Sequence, residues 1–206
     1  MRQNKMRLIG ITGGVGAGKT EILQYIKKHY KCEIYLADQV AHEVQAPGGI
    51  CYEQLIALMG KDILKEDGSI DRAKMASRIF LEKELLLKVN ALVHPAVQKY
   101  LLHKVEEAKK NPEIELFFIE AALLIETGYK EIVDELWYIY ADEEARRRRL
   151  EANRGYTPLK ISQIMEKQLS EEAFRSACDF TIDNSGALEK TFAQIDDRLK
   201  NFSRRS

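Results

Sequence analysis

The segment Gly13–Thr20 has the residue types and the spacing of a phosphate-binding loop. It reads GGVGAGKT and fits the pattern G-x-x-x-x-G-K-[ST]. The apolar segment Arg7–Thr12 precedes it and predicts a buried strand, and apolar residues at helical spacing follow it. Its glycines let the backbone direct successive N–H groups at a phosphate, while Lys19 can reach the β- and γ-phosphates and the Thr20 hydroxyl can bind Mg²⁺. The motif therefore predicts a site for a nucleoside triphosphate at the start of a helix.

Two other nucleotide-binding patterns fit this segment poorly. A dinucleotide-binding loop needs G-x-G-x-x-G and an acidic residue about 20 positions later. Asp38 lies near that distance, but the glycine spacing differs and the ending Gly-Lys-Thr would have no role. A guanine-specific switch needs the pattern Asn-Lys-x-Asp, which the sequence lacks. The acceptor of the phosphoryl group stays open at this point between water, a small molecule and a protein.

Two acidic residues follow predicted strands. Asp38 comes after Glu33–Leu36, and Glu120 comes after Leu116–Ile119. Ligands of an open α/β sheet bind beyond the carboxyl ends of the strands, so Asp38 could accept a proton from an acceptor hydroxyl or hold Mg²⁺, and Glu120 could hold Mg²⁺. Each also has an ordinary structural interpretation, because Asp38 could cap the helix that follows and Glu120 could be a plain strand-end carboxylate. The spacing alone favours neither interpretation.

Short apolar strands alternate with helices along the chain. Further strands are predicted at Leu136–Tyr140 and Phe180–Ile182, and further helices at Asp142–Asn153, Leu159–Ser176 and Leu188–Phe202. This alternation is typical of a three-layer α/β fold, in which a parallel sheet of about five strands is covered by helices on both faces.

The stretch at residues 39–112 is almost wholly helical in pattern and too long for a simple crossover between two strands. One of its turn signals is His94-Pro95, where the proline predicts an extended backbone and a presented side chain for His94. A structural histidine is the alternative. We predict one domain over residues 1–206, with a core at 7–38, 114–141 and 177–206, a helical insertion at 39–112 and a further helical segment at 142–176.

The composition narrows the class of protein. Of the 206 residues, 32 are Lys or Arg and 32 are Asp or Glu, so the net charge of zero gives no indication of a nucleic-acid partner. Apolar residues make up 45%, but no run approaches the roughly 20 residues that span a bilayer. The polar, basic start Met1–Arg7 is unlike a signal peptide. Because Cys32, Cys51 and Cys178 are odd in number and widely spaced, we expect a reduced, cytoplasmic chain without disulfides.

The order of several short motifs resembles the dephospho-coenzyme A kinase family. A phosphate loop alone is shared by a whole superfamily of P-loop NTPases, but the later motifs are more specific. The matching segments run from about Leu8 to Gly186 and are Ile9–Lys19, Leu36–Asp38, Pro47-Gly48, Met59-Gly60, Asp67–Arg72, Ile79-Phe80, Val89–Pro95, Glu120–Glu126, Gln168 and Asp179–Gly186. Nucleoside monophosphate kinases would share a core and a lid but lack the His-Pro and Leu-Leu-x-Glu segments.

The chain departs from the family pattern at a few positions. Leu36 stands where the family typically has an acid, Ala122 where it has proline, and Glu21 where it has a small hydroxyl residue. Arg149 and Arg154 are five residues apart, whereas the usual pair of lid arginines is four apart.

The resemblance implies an activity and a division of labour along the chain. It implies ATP-dependent phosphorylation of the ribose 3′-hydroxyl of dephospho-coenzyme A, the last step of coenzyme A biosynthesis, with Mg²⁺ as cofactor. The insertion at 39–112 would bind the acceptor, and the segment at 142–176 would be a lid that excludes water. ATP and dephospho-coenzyme A would be the only partners, and no obligate protein partner is indicated.

Individual roles follow from the motifs and the resemblance together. The expected catalytic residues are Asp38, Lys19, Arg149 and Arg154. The expected ATP-binding residues are Gly13, Gly14, Val15, Gly16, Ala17, Gly18, Lys19, Thr20, Glu21, Asn184 and Gly186. The expected acceptor-binding residues are Asp38, His94, Leu123, Leu124 and Glu126, and the expected metal ligands are Thr20 and Glu120.

A run of four arginines at 146–149 could be a solvated helix face. Two of them stand four residues after a glutamate, which predicts the ion pairs Glu143–Arg147 and Glu144–Arg148. We therefore expect those two arginines on the surface, and Arg149 and Arg154 at the transferred phosphate, where arginines stabilise the transition state.

Overall fold

The computed structural model describes residues 6–204, which divide into two compact units. A core unit comprises the described residues up to Ile34 and from Ala108 onward, and a helical unit comprises Tyr35–Glu107. Among the helices of this described part, none is long and apolar enough to cross a bilayer.

A five-stranded parallel sheet forms the centre of the core unit. Its strands are β1 (Arg7–Thr12), β2 (Cys32–Leu36), β3 (Leu116–Glu120), β4 (Glu135–Tyr140) and β5 (Phe180–Asp183), in the spatial order β2-β3-β1-β4-β5. The first strand is central, and its residue Ile9 pairs with Phe118 of β3 and with Glu135 of β4. The predicted fold is confirmed, and the carboxyl end of β1 delivers the phosphate loop to the middle of the sheet edge.

Nine α-helices accompany these strands in the described residues. They are α1 (Lys19–His29), α2 (Ala37–Val44), α3 (Tyr52–Met59), α4 (Arg72–Leu81), α5 (Lys83–Ala108), α6 (Glu143–Arg154), α7 (Pro158–Met165), α8 (Glu171–Ala177) and α9 (Leu188–Arg198).

The core of the first unit consists of the central strands. Side chains of β1, β3 and β4 are buried almost without interruption, among them Phe117, Phe118 and Trp137. Unbroken apolar strands of this kind must be buried on both faces. The sequence therefore predicted a parallel sheet covered by helices on both faces, and not a sheet with one face exposed to solvent.

The predicted break at His94-Pro95 is wrong, because α5 continues through Pro95. Buried residues recur along this helix at intervals of four on both sides of the proline: Leu85, Val89, Val93, Val97, Leu101 and Val105. Proline inside a helix costs about 3 kcal/mol, and burial of this continuous stripe offsets that cost. His94 and Pro95 are both exposed, so His94 is presented from a helix and not from an extended segment.

The helix predicted at Leu159–Ser176 is two helices. It is divided into α7 and α8, and the side chain of Ser170 accepts a hydrogen bond from the backbone N–H of Ala173 at the start of α8. This cap stabilises a new helix start. Gln168 lies in the bend between the two helices and belongs to neither of them.

Candidate active site

The loop Gly13–Thr20 connects β1 to α1 and depends on glycine at two positions. Gly18 has φ 86°, and a Cβ there would collide with the side-chain amide of Asn184. A Cβ at Gly13 would lie 2.5 Å from the carbonyl oxygen of Ile139 on β4. The neighbouring strands therefore fit the loop so closely that a side chain at either position would displace it.

Lys19 and Glu120 lie together at this edge of the sheet. The Lys19 Nζ donates a hydrogen bond to the Gly13 carbonyl at 2.7 Å and lies 3.6 Å from the Glu120 carboxylate. The side chain of Lys19 is 16% exposed and that of Glu120 is 15% exposed. Thr20 is exposed in the first turn of α1. Predicted phosphate and metal ligands thus come from two adjacent elements, the start of α1 and the end of β3.

Two arginines of α6 hold the backbone of the loop. The Arg146 Nε donates to the Val15 carbonyl at 2.9 Å, and Arg149 donates to the Ala17 carbonyl at 3.3 Å and to the Asn184 carbonyl at 2.7 Å. The two stand three residues apart, so they share one face of the helix. Sequence reasoning did not single out Arg146, although the same three-residue spacing from Arg149 could have found it.

The other arginines of this region have different surroundings. The predicted ion pairs of Arg147 with Glu143, at 2.8 Å, and of Arg148 with Glu144, at 2.5 Å, are both present. Arg154 is exposed in the last turn of α6, and its guanidinium lies 5.9 Å from the centre of the Tyr156 ring. No hydrogen bond joins it to the loop residues that the structure describes, so the structure brings Arg149, and not Arg154, to the phosphate loop.

Asn184 supports the loop from the end of β5. Its side chain is 1% exposed, donates to the Ala17 carbonyl at 2.7 Å and accepts from the Thr191 hydroxyl at 3.0 Å. These contacts occupy the side-chain amide of a residue that we expected to bind ATP, because a buried amide must satisfy its donors and acceptors inside the protein. Gly186 is exposed, and no atom lies within 4 Å of the position of a Cβ there. That residue remains open to a ligand.

The segment after β3 presents some of its predicted contact residues and buries one. Leu123 is 51% exposed and Glu126 is exposed. Leu124 is fully buried, and its Cδ1 would lie 3.2 Å from a Cβ at Gly10 of β1. The expectation that Leu124 contacts the acceptor does not hold in this structure, since the side chain fills the space above a glycine of the central strand.

Asp38 belongs to the helical unit and is the second residue of α2. The N-cap residue is Leu36, which makes no side-chain cap, so the capping interpretation of Asp38 is not supported. Its exposed carboxylate lines a groove of about 350 Å³ between α2 and α4. The other lining residues are Ala41, His42, Gln45, Arg72, Met75, Ala76 and Ile79. The lining combines apolar side chains, Met75 and Ile79, with exposed side chains of both charges, Asp38 and Arg72.

Comparisons with known proteins agree on one family. A family model described as dephospho-CoA kinase matches residues 7–190. A dephospho-CoA kinase of Carboxydothermus hydrogenoformans is 35% identical over 188 residues, which cover 91% of this chain and 90% of the relative. One of Aquifex aeolicus is 34% identical over 191 residues, covering 92% and 94%.

Solved structures show the same fold. A crystal structure of a Thermus thermophilus protein has a TM-score of 0.79 at 26% identity and covers 95% of this chain and 97% of its own. A shikimate kinase of Acinetobacter baumannii, at 14% identity and a TM-score of 0.55, covers 96% of both chains and shares the fold alone.

Proposed function

The chain belongs to the dephospho-CoA kinase family, and from this premise we propose how its residues carry out the reaction. It is a kinase with an alcohol group as acceptor, and the reaction is the ATP-dependent phosphorylation of dephospho-CoA at the ribose 3′-hydroxyl, which ends coenzyme A biosynthesis. ATP and dephospho-CoA are accordingly its substrates.

The phosphate loop is the proposed nucleotide site. The backbone N–H groups of Gly13–Thr20 and the start of α1 would bind the phosphates of ATP, with Gly186 and Glu21 at its edges. Lys19 is already folded over the loop, where its charge can follow the γ-phosphoryl group during transfer. The exposed Gly186 is the residue of this set that is most open to the base.

Mg²⁺ is the proposed cofactor of the nucleotide. This ion usually keeps several waters and binds through one or two protein oxygens plus substrate phosphates. The Thr20 hydroxyl and the Glu120 carboxylate, on adjacent ends of α1 and β3, fit that small donor set. Bound there, the ion would neutralise charge on the β- and γ-phosphates.

Asp38 is the proposed base that accepts the proton of the acceptor hydroxyl. Two observations support this proposal: its carboxylate is exposed, and it does not cap α2. As the 3′-oxygen forms its bond to the γ-phosphorus, the bond to the bridging oxygen breaks, ADP leaves, and the hydroxyl proton passes to the Asp38 carboxylate. Lys19 and Arg149 would stabilise the charge that spreads over the phosphoryl oxygens.

The groove beside Asp38 is the proposed acceptor site. Its volume is at the lower end of small-molecule sites, which are about 300–1,000 Å³. Arg72 forms no ion pair with any described residue, so its guanidinium can bind the diphosphate of the acceptor. Met75 and Ile79 give an apolar surface for the pantetheine arm. His94, Leu123 and Glu126 are further proposed contacts.

A lid and a location complete the proposal. Helices α6–α8 would close over bound ATP, with Arg154 reaching the phosphates only after closure, and would exclude water from the transferred group. Cys51 and Cys178 are free thiols. Free thiols suit a reducing compartment, so we place the protein in the cytoplasm.

A coupled assay of ADP release tests the function. We expect turnover with ATP and dephospho-CoA, and little with AMP, CMP or no acceptor. Asp38→Asn keeps the shape of the side chain but cannot accept the proton, so turnover should fall by roughly 10²–10⁴ while ATP affinity stays unchanged. Glu53→Gln is the matched control, since it removes an exposed carboxylate from the first turn of α3 in the same unit.

The results of this assay test the proposed function and the proposed role of Asp38 separately. Dephospho-CoA turnover that equals the rate without acceptor would contradict the function. Near-normal turnover of Asp38→Asn, with an unchanged melting temperature, would leave the function standing and assign the base to another residue.

A further inference from the structure

Arg146 is a partly buried cation beside the phosphate loop. Its Nε donates to the Val15 carbonyl, and its terminal nitrogen donates to the Gln168 side-chain oxygen. The same Gln168 oxygen accepts the backbone N–H of Val15 at 3.3 Å. The arginine therefore lies against the tip of the loop, where a Cβ at Gly14 would come within 2.5 Å of its guanidinium.

Arg146 forms no ion pair with any described residue, and Glu143, which is paired with Arg147, acts on its charge only from a longer distance. Both of its hydrogen bonds go to neutral oxygens, and they use two of the five N–H donors of a guanidinium. Its neighbours on α6 differ, because Arg147 and Arg148 are each paired with a glutamate one turn earlier. Burial disfavours the charged form and lowers the pKa of Arg146 from its ordinary value.

A partly buried charge without a partner is costly unless something else compensates it. Arg149, one turn further along the same face of α6, also donates only to backbone carbonyls within the described part of the chain. Lys19 also borders the loop, since its Nζ donates to the Gly13 carbonyl beside Glu120. The loop thus has cationic side chains from both α1 and α6 next to it, an arrangement complementary to a polyanion.

We propose that Arg146 is a nucleotide-binding residue, whose positive charge is compensated by the phosphates of bound ATP. The inference rests on the proposed nucleotide site and adds to it a third cation that no motif assigned. Gln168 acts with it as a positioning residue, because it holds the guanidinium and the Val15 N–H at once. An alternative explains the same contacts by loop packing alone, in which case the fork of hydrogen bonds matters and the charge does not.

Two substitutions separate charge from hydrogen-bond geometry. Arg146→Gln removes the charge but keeps a donor for the Val15 carbonyl, and Arg146→Lys keeps the charge but loses the planar fork. ATP affinity is measured by direct titration without acceptor, at several salt concentrations, alongside melting temperature with and without ATP. We expect Arg146→Gln to bind ATP at least about tenfold more weakly, which corresponds to about 1.4 kcal/mol, and with a shallower dependence on salt. Arg146→Lys should retain most of the affinity.

Arg148→Gln is the matched control, since it removes the same charge from the same helix at an exposed, paired position. It should leave ATP affinity within about twofold, as expected for a surface ion pair. Without nucleotide, Arg146→Gln should melt no lower than the wild type, because the uncompensated charge has gone. Equal losses of ATP affinity in Arg146→Gln and Arg146→Lys, or no loss in Arg146→Gln, would overturn the proposal. A wild-type protein that fails to bind ATP would instead contradict the proposed nucleotide site.

Discussion

Replacement of Pro95 by alanine should stabilise the protein. Pro95 lies inside the 26-residue helix α5, is exposed, and lacks the N–H that would donate to the carbonyl of Ala91 one turn earlier. Alanine restores that hydrogen bond and removes the ring from the preceding turn. Since the side chain of residue 95 faces solvent, the substitution leaves no cavity.

The size of the effect follows from the helix itself. Proline is about 3 kcal/mol less favourable than alanine in a helix interior. The surrounding backbone has already adapted to the ring, so we expect only part of this gain, about 1–3 kcal/mol in the free energy of unfolding. For a chain of this length each kcal/mol raises the melting temperature by about 2–4 °C. The expected rise is therefore roughly 2–12 °C.

Thermal melting followed by circular dichroism measures this directly, with a denaturant titration to confirm that the midpoint rises at constant slope. Lys99→Ala, an exposed change on the same helix, serves as the control and should shift the melting temperature little. A lower melting temperature for Pro95→Ala would show that the ring makes contacts worth more than the missing hydrogen bond, and it would refute the account of α5 given above.

Three further predictions concern the two proposed binding regions. Asn184→Ala should lower the free energy of unfolding by about 2–4 kcal/mol, because two buried hydrogen bonds are lost, and chemical denaturation would reveal no change if the amide were dispensable. Arg149→Ala should reduce turnover far more than Arg148→Ala, and equal reductions would contradict the difference in their contacts. Arg72→Ala should raise the KM for dephospho-CoA without changing the KM for ATP. Lys74→Ala, an exposed change on the same helix, should change neither value. An unaltered KM for dephospho-CoA in Arg72→Ala would show that Arg72 does not bind the acceptor.

The sheet could be predicted from the sequence because its signal is local. The central strands β1, β3 and β4 are short, largely apolar runs, as expected of strands that are buried on both faces. The predicted segment Leu116–Ile119 differs from β3 by one residue, and the prediction for β1 has the same bounds as the strand. The loop Gly13–Thr20 is likewise a local motif with its own strand and helix.

Errors arose where distant residues decide the local structure. Pro95 is a valid breaking signal, but the buried stripe of α5 outweighs it, and the strength of that burial is not visible in a window around the proline. Similarly, Leu159–Ser176 has a continuous helical pattern, but α7 ends at Met165 and the cap formed by Ser170 begins a new helix. Each case is a competition between a local preference and packing or capping elsewhere.

The candidate site residues also divide into those whose contacts follow from the local sequence and those whose contacts depend on distant residues. The ion pairs of Arg147 and Arg148 were predictable because partners one turn apart on a helix must meet. The role of Asn184 was not, since it depends on β5 ending beside the loop, a contact between residues far apart in the chain. Arg146 lies between these cases: its helix face was predictable, but the oxygen atoms it reaches were not.

The central strand of the sheet is made early, and its two neighbours are made late. Arg7 of β1 pairs with Leu116 and Ile9 pairs with Glu135, so the whole unit Tyr35–Glu107 separates β1 from both partners. Pairing over such separations is slow, because a long loop must close before any contact rewards it. On the ribosome, the helical unit is synthesised before either partner strand exists. The ability to bind a nucleotide therefore arises late in biogenesis. Until β3 and β4 have been synthesised, the apolar strand β1 has neither partner and must not aggregate.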